Sequence, residues 1–362
     1  MTNQMKVLKI IIINFLLIVL VLSVAELYLK NESNKWLDPQ SIGVIRNRSV
    51  VYSTNFYEVE GSITYVRDEY GLRDNCEPKD INILTIGGST SDQRYVEFSK
   101  TFQVILEKKL SEQLDRKICV SNAGVDGHST YAHLISFDSW FPIIDQLNPD
   151  IYLLYIGIND AFFIGEEKKP VVLNTTQKEN EQSFIEELEI YSMYQKILKL
   201  ISGNFIAREF AGHNSVKLSN DKYTINELNP ATPKLSFENA ENFRKRLKQL
   251  LDKIDNLDGE FLCVTQPHRF VKLIDDKKYG IENVFSKKEI IFSGLDYDYA
   301  LNEINTVLFE ECGRNNLIDL YSYNFKDLHF YDYAHTTPSG SEEIGNELFL
   351  KLIDLPIYQS LK

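Results

Sequence analysis

Short apolar runs alternate along much of the chain with longer segments in which apolar residues recur at helical spacing. The runs are INILTI from residue 81, KICVSN from 117, IYLLYI from 151, EFLCVT from 260 and NLIDLY from 316. The helical segments cover approximately residues 103–114, 132–146, 237–257, 297–311 and 341–352. Strands that are apolar on both faces and alternate with helices form parallel sheets covered on both sides. The pattern predicts an α/β protein, a three-layer α/β/α sandwich with roughly five parallel strands.

Two stretches fall outside this alternation. Residues 30–78 mix polar and aromatic residues, and runs such as VVYSTNFYEV and SITYV predict an edge hairpin or a wrapping arm. Residues 160–236 carry many charges, aromatic residues and breakers, which predicts an insertion with its own helix near residues 184–202. Because the insertion follows a central strand, we expect it to lie over the carboxyl edge of the sheet, where open α/β sheets bind ligands.

The amino-terminal segment is much more apolar than the rest of the chain. Between Lys9 and Glu26 lies the run IIIINFLLIVLVLSVA. Such a run predicts a transmembrane helix, with the body of the protein on the extracytoplasmic side, although lysines on the two flanks nearly balance. The alternative is a signal peptide cleaved after Ala25, because Ser23 and Ala25 are small residues at the positions that signal peptidase reads. The predicted parts are an anchor or signal segment at 1–29, a connecting arm at 30–78 and a folded domain at 79–357.

Composition and charge narrow the classes of partner. The 362 residues are 43% hydrophobic and 25% charged, as in a globular protein with a substantial core. The net charge of −13 and the lack of a basic stripe exclude nucleic acid, because that affinity depends on cationic side chains. The four cysteines form no CxxC pair, so neither a zinc site nor a disulfide framework is indicated, and Cys119 and Cys263 are interpreted as buried thiols. No cluster has metal-ligand spacing, so we expect no metal and no cofactor.

Four polar loops lie where the predicted sheet would bring them to one edge. They are GGST at 87–90, NAGVDGH at 122–128, GIND at 157–160 and DYAHTTPSG at 332–340. Each loop has an ordinary explanation when it is taken alone. In the same order, these explanations are a capped glycine turn, a loop with positive φ angles, an Asn-Asp turn and a chance DxxH.

The residue types in these loops suit acyl chemistry. A helix that begins behind the glycines would direct its positive end at the Ser89 oxygen. The backbone N–H of Gly127 and the side chain of Asn159 could donate to an oxyanion. Asp332 and His335 are three residues apart, so the carboxylate can accept from one imidazole nitrogen while the other faces the site.

The order GGS, NAGxxG, GxND and DxxHxTPxG resembles the SGNH (GDSL-type) hydrolase superfamily over residues 79–355, apart from the insertion. The resemblance implies a flavodoxin-like SGNH hydrolase fold. It makes Ser89 the nucleophile, His335 the general base and Asp332 the partner of that base. It also implies an oxyanion hole formed by the backbone N–H groups of Ser89 and Gly127 and the side chain of Asn159.

The chain departs from this family pattern at two positions and leaves other polar groups unassigned. Gly88 stands where the GDS form has aspartate, and Thr90 stands where that form has leucine. The segment YGLR at 70–73 resembles a short G-[FL]-R segment of membrane-anchored relatives, and its role is open. His329 is a rival base, but no TPxG turn follows it directly. The candidate substrate-binding residues are His128, His268 and Arg269. The alternative explanation is a polar loop before a helix start for His128 and a solvated loop for His268 and Arg269.

These features together predict a membrane-anchored serine esterase that hydrolyses an O-acetyl or other short acyl ester of a cell-surface or secreted glycan. The prediction that the substrate is a glycan rests only on the predicted anchor and on what similar anchored proteins do. The alternatives are a polysaccharide O-acyltransferase with the same triad, a lipid esterase or thioesterase, and an inactive glycan-binding protein on a hydrolase scaffold. The expected location is the periplasmic or cell-surface side of the membrane. The sequence leaves the acceptor and the oligomeric state open.

Overall fold

We describe the protein from a computed structural model. The described residues are 3–32, 39–53, 61–161, 222–225, 227–282, 285–287 and 290–362. The helix predicted at 184–202 and most of the predicted insertion at 160–236 lie outside these residues. By its contacts the chain divides into one unit of residues 1–38 and 174–212 and a second unit of residues 39–173 and 213–362.

The described helices and strands have the following bounds. The helices are α1 (Asn3–Glu32), α2 (Ser89–Asp92), α3 (Phe102–Leu114), α4 (Thr130–Ser139), α5 (Ile158–Ala161), α6 (Thr232–Asp255), α7 (Gly294–Cys312) and α8 (Pro338–Leu352). The strands are β1 (Arg48–Ser53), β2 (Ser62–Arg67), β3 (Ile83–Gly87), β4 (Val120–Asn122), β5 (Ile151–Tyr155), β6 (Tyr223–Thr224), β7 (Glu260–Val264), β8 (Val271–Ile274), β9 (Lys277–Ile281), β10 (Phe285–Lys287), β11 (Ile290–Phe292) and β12 (Leu317–Ile318).

A parallel sheet with the order β12–β7–β5–β3–β4 forms the centre of the second unit. Its strands are the five predicted apolar runs, so the parallel five-stranded sheet is confirmed. Counted along the chain, the order is the 2-1-3-4-5 arrangement of flavodoxin-like folds. Because the winding reverses beside β3, the carboxyl end of this strand lies at the switch point, where such sheets bind ligands.

Helices cover both faces of the sheet, as the apolar strands require. On one face, α3 and α8 pack on alternate strand residues, and the shared core includes Leu106, Leu348, Ile83 and Leu153. On the other face, α4 and α7 both pack against α6, and the Phe137 ring of α4 lies 5.5 Å from that of Tyr152 in β5. The predicted three-layer α/β/α arrangement is therefore confirmed.

The ends of two helices differ from the predicted ones because of proline. Helix α4 ends at Ser139 rather than near 146, since Pro142 follows in a short 3-10 turn and cannot continue the hydrogen-bond ladder. Helix α6 begins at Thr232 rather than near 237, with Pro233 in its first turn. Proline is well accommodated there because the first N–H groups of a helix have no partner within the helix.

The predicted arm contains the hairpin that its alternating pattern indicated. Strands β1 and β2 pair antiparallel, from Arg48 opposite Arg67 to Ser53 opposite Ser62. Two further antiparallel sheets, β6–β9–β8 and β10–β11, were not predicted. Strands β8 to β11 interrupt the expected passage from β7 to α7, so the loop after β7 is an elaborated region.

A helix forms over the apolar amino-terminal segment, as α1. Crossing a bilayer takes about 20 apolar residues in succession. Within the described part of the chain, no helix combines the length and the apolar character that a membrane crossing needs. The predicted transmembrane span is therefore not confirmed.

The interpretation of the cysteines as thiols is wrong. Cys76 pairs with Cys119, and Cys263 pairs with Cys312, with 6.4 Å between the Cα atoms of each pair. The sequence hides these neighbours because the partners are 43 and 49 residues apart and belong to different elements. Glu107 lies close to the first pair, and the three residues together have the spacing of a metal site. Because the two sulfurs are bonded to each other, only the Glu107 carboxylate is left as a ligand.

Candidate active site

The loop that follows β3 presents Ser89 at the carboxyl edge of the sheet. Ser89 is the first residue of the four-residue helix α2, and Gly88 precedes it with a φ of −91° and a ψ of −149°. A Cβ atom at position 88 would lie 2.3 Å from Nδ2 of Asn159 and 3.0 Å from the carbonyl oxygen of His128. Glycine at this position therefore lets the Asn159 amide approach the turn that carries Ser89.

Ser89, His335 and Asp332 form one continuous chain of hydrogen bonds. The Nε2 atom of His335 lies 2.7 Å from the Ser89 hydroxyl oxygen, although the two residues are 246 positions apart. The Nδ1 atom of the same ring lies 2.6 Å from Oδ2 of Asp332. The backbone N–H groups of Ala334 and His335 donate to Oδ1 of Asp332, at 2.9 and 2.7 Å. The structure thus brings the three predicted residues together, with the carboxylate held on both of its oxygens.

The electrostatics of the pair favour an ionised carboxylate beside the ring. Burial alone lowers the pKa of His335, but the charge and hydrogen bond of Asp332 outweigh burial and raise that pKa above its usual value. Burial alone raises the pKa of Asp332, and the contact with His335 together with the two backbone donors lowers it overall. The ring of Tyr331 stacks on the His335 ring, with centroids 5.6 Å apart and planes 13° apart. Stacking and the ion pair both restrict the orientation of the imidazole.

Three candidate donors belong to the serine turn and to the two loops of Gly127 and Asn159. The Nδ2 atom of Asn159 in α5 donates to the carbonyl of His128 at 2.7 Å, which leaves its second hydrogen for another acceptor. Gly127 has a φ of +77°, a conformation that favours glycine, and lies in a turn closed by the N–H of His128. Within the described part of the chain, the backbone N–H groups of Ser89 and Gly127 have no hydrogen-bond acceptor. These groups have the chemistry that an oxyanion hole needs.

The candidate substrate-binding residues have partners inside the fold. Nε2 of His128 lies 2.6 Å from the carbonyl oxygen of Ile42, and burial lowers the pKa of His128 to about 4. His268 accepts from a backbone N–H through Nδ1, and its Nε2 lies 3.3 Å from Asp298. Arg269 pairs with Asp327 at 3.2 Å. None of the three side chains has a described contact with Ser89, so their role in substrate binding stays a prediction.

The rival base does not reach the serine in the described contacts. His329 is buried, and its Nδ1 accepts from the backbone N–H of Lys326 at 3.4 Å. Burial lowers the pKa of His329 below its usual value. Because Nε2 of His335 already occupies the hydrogen-bonding position on Ser89, the geometry favours His335 as the base.

Two glutamines support the site, and neither was among the site residues predicted from the sequence. Gln93 donates through Nε2 to the hydroxyls of Thr336 and Ser341, at 3.2 and 2.7 Å, beside the loop of His335. Gln266 donates to the hydroxyl of Thr90 at 2.7 Å. The departure from leucine at position 90 therefore provides an acceptor for Gln266. The only signal for Gln266 was its place directly after an apolar strand of the sheet.

A second bond of Gln266 reaches another loop of the site. Its Oε1 atom accepts from the backbone N–H of Ile158 at 2.7 Å. The same side chain thus connects the residue after the serine with the residue before Asn159. We infer that it keeps the spacing between these two loops.

The comparison with protein families agrees with this geometry. A family model described as GDSL-like lipase/acylhydrolase matches residues 83–348, which is more than half of the chain and includes all four loops. The chain belongs to this family. As a GDSL-like lipase/acylhydrolase, the protein is an ester hydrolase.

Solved structures similar to this GDSL-family protein share little sequence identity with it. An acetyl xylan esterase is 13% identical, with 75% of this chain and 99% of that chain covered and a TM-score of 0.40. A lipolytic G-D-S-L protein from Veillonella parvula is 12% identical, with 75% and 98% covered and a TM-score of 0.42. A catalytic mutant of an acetylxylan esterase from Geobacillus stearothermophilus is 12% identical, with 76% and 94% covered and a TM-score of 0.41. A search of curated proteins gives no match.

Proposed function

We propose that this GDSL-family protein hydrolyses esters with Ser89 as nucleophile, His335 as general base and Asp332 as the group that orients the base. The observation that carries the proposal is the unbroken chain from the Ser89 hydroxyl through both imidazole nitrogens to the Asp332 carboxylate. A serine hydroxyl is a weak nucleophile until a neighbouring base takes its proton. His335 lies within hydrogen-bond distance of that proton, which meets the geometric requirement for a general base.

The reaction proceeds in two halves. The Ser89 oxygen attacks the ester carbonyl carbon while Nε2 of His335 takes the hydroxyl proton. The negative charge moves to the carbonyl oxygen, which accepts from the N–H groups of Ser89 and Gly127 and from Nδ2 of Asn159. His335 then returns the proton to the departing alcohol, and an acyl-serine remains. Water attacks this acyl-serine with His335 again as base, which releases the acid and restores Ser89.

Asp332 acts through the tautomer of His335. A carboxylate at Nδ1 keeps the proton on that nitrogen, so the lone pair of Nε2 faces Ser89. The same negative charge stabilises the imidazolium that forms when Ser89 attacks. The raised pKa of His335 reflects this stabilisation in the resting protein.

We further propose that the acyl group is short, with acetyl as the leading candidate, and that the acceptor is a glycan. The low exposure of Ser89, 8%, supports a small acyl group, because a long chain would need an open groove at the nucleophile. The glycan is an inference from the sequence alone. Transfer of the acyl group to a sugar hydroxyl in place of water uses the same residues and is the alternative reaction.

An extracytoplasmic location and a membrane attachment through residues 1–29 remain proposals. The two disulfides support an oxidising compartment, since such bonds persist outside the cytoplasm and are rare within it. Fractionation of cells that express the full chain tests both proposals. Recovery in the soluble cytoplasmic fraction with reduced cysteines would contradict them.

Turnover of p-nitrophenyl acetate by the purified protein tests the hydrolase proposal. We expect Ser89→Ala and His335→Gln to abolish turnover. Ser91→Ala and His329→Gln are the matched controls, because Ser91 lies in the same turn and His329 is the rival base, and both should retain activity. Equal turnover by wild type and Ser89→Ala would refute the proposal.

A second assay separates hydrolysis from transfer. The protein is incubated with an acetylated xylan, and the release of acetate is compared with its transfer to an added unacetylated glycan. Release of free acetate at a rate that does not depend on the added glycan supports hydrolysis. Acetylation of the added glycan with little free acetate would support the alternative.

A further inference from the structure

Arg67, at the end of the arm hairpin, is a buried arginine with every donor in use. Its side chain is 3% exposed. A guanidinium has five N–H donors in a planar fork. The acceptors of Arg67 are the hydroxyl of Tyr65 (2.7 Å), the carbonyls of Gly71 (3.1 Å), Asn122 (2.9 Å) and Gly124 (2.5 Å), and Oδ1 of Asp92 (2.5 Å).

Three of these acceptors, Asp92, Asn122 and Gly124, lie on the two loops that supply the backbone donors of the oxyanion hole. Asp92 is the last residue of α2, which begins with Ser89. Asn122 and Gly124 begin the loop that leads to Gly127. One guanidinium therefore joins the loop of the Ser89 N–H to the loop of the Gly127 N–H.

A second arginine, Arg94, connects Asp92 to a later position of the loop that carries Gly127. Arg94 approaches Oδ2 of Asp92 at 3.6 Å and pairs with Asp126 at 2.9 Å. Asp126 directly precedes Gly127. The carboxylate of Asp92 is thus bound by both arginines. Arg67 also binds the start of the loop that carries Gly127, and Arg94 also binds the middle of that loop.

The cost of burying these charges argues for a role in geometry. Taking a charge pair out of water costs several kcal/mol per ion, which is offset only when nearly all donors and acceptors are matched. Here Asp92 is 2% exposed, and its Oδ1 also accepts from the hydroxyl of Tyr65 at 2.6 Å. An apolar contact would stabilise the arm at lower cost, but it would not fix two loops at a defined separation.

We propose that Arg67 is a positioning residue that sets the distance between the Ser89 and Gly127 backbone donors. The inference rests on the proposed hydrolase function, because it concerns the same oxyanion hole. It assigns to the arm a role in catalysis. Arg67 itself has no described contact with Ser89 or His335, so it acts through the two loops.

Arg67→Lys is the informative substitution. Lysine keeps the positive charge, but its donors lie on one nitrogen, so it cannot reach both loops in the way a fork does. A misplacement of about 1 Å at a reacting group costs about 10²-fold in rate. We therefore expect kcat per active site to fall about 10²-fold, with KM changed less than about threefold, because ground-state binding is retained.

The experiment counts active sites so that misfolding is separated from misalignment. The full-length wild type, Arg67→Lys and Tyr65→Phe are each titrated to completion with a fluorophosphonate, which labels the serine of folded sites. Turnover of p-nitrophenyl acetate is then divided by the number of labelled sites. Leu110→Ala is the matched control. Leu110 is a fully buried residue of α3, so its truncation destabilises the core without changing either loop.

The outcomes are distinct. If the proposal holds, kcat per labelled site falls strongly in Arg67→Lys and less in Tyr65→Phe. It does not fall in Leu110→Ala, even when the melting temperature of Leu110→Ala drops as much as that of Arg67→Lys. An unchanged kcat per site in Arg67→Lys overturns the proposal. If Arg67→Lys does not fold, an unchanged kcat per site in Tyr65→Phe overturns it. An equal loss in Leu110→Ala overturns it as well. Absence of any turnover or labelling that depends on Ser89 in the wild type refutes the proposed function, and this inference with it.

Discussion

Asp332→Asn is the substitution whose effect can be worked out most fully from the structure. The side chains of aspartate and asparagine have nearly the same shape, so the change removes a charge and adds donors at one atom. Oδ1 of Asp332 accepts two backbone N–H groups, and Oδ2 faces Nδ1 of His335. In the asparagine, the carbonyl oxygen must stay with the two backbone donors, so the NH₂ group turns toward the ring.

The consequence is the wrong tautomer of the base. An NH₂ group facing Nδ1 requires an acceptor there, so the ring proton moves to Nε2. An Nε2–H directed at the Ser89 oxygen cannot take the serine proton. In serine hydrolases with this arrangement, replacing the carboxylate by its amide lowers kcat about 10⁴-fold, which corresponds to about 5 kcal/mol of transition-state stabilisation.

Steady-state kinetics with p-nitrophenyl acetate measure the effect. We expect kcat of Asp332→Asn to fall by 10³- to 10⁴-fold with a small change in KM, because substrate contacts are unaffected. The matched control is Asp298→Asn, since Asp298 also pairs with a histidine, His268, at 3.3 Å but away from the serine. The control should lower the melting temperature and keep kcat. An Asp332→Asn protein with more than about one tenth of wild-type kcat would refute the assignment of the triad.

Three further predictions concern the oxyanion donor, the pH profile and the disulfides. Asn159→Ala should lower kcat about 10²-fold with little change in KM, and unchanged kcat would remove Asn159 from the oxyanion hole. Burial lowers and the neighbouring carboxylate raises the pKa of His335, with a net rise above the usual value of a histidine, so kcat/KM should fall with decreasing pH around a midpoint above that usual value. A midpoint in the pH profile that is not raised above the usual histidine value would contradict the ion pair. Joint replacement of Cys76 and Cys119 by serine should lower the free energy of unfolding by about 3 to 4 kcal/mol in denaturant titrations, and reductant should have a larger effect on the wild type, because it also opens the bond between Cys263 and Cys312.

The parts of the structure that the sequence predicts are those with a local signature. The five strands are apolar runs, and each catalytic loop follows a strand or precedes a helix, so periodicity and spacing locate them. The disulfides have no such signature, because Cys76 and Cys119 are brought together only when the arm packs against the start of β4. The role of Arg67 is hidden for the same reason, since its acceptors lie up to 57 positions away.

The support of the serine turn shows why an SGNH-type motif alone does not specify a working site. Helix α2 has four residues and few internal hydrogen bonds, and helices this short are unstable without outside contacts. Arg73 of the YGLR segment supplies one such contact, because its Nη1 donates to the carbonyls of Asp92 and Gln93, which a helix leaves unpaired at its end. Arg67, Gln93 and Gln266 then join the turn to the loops of Gly127, His335 and Asn159, respectively. A polar side chain chosen to bridge two loops follows neither the period of a helix nor that of a strand, so only the folded structure reveals it.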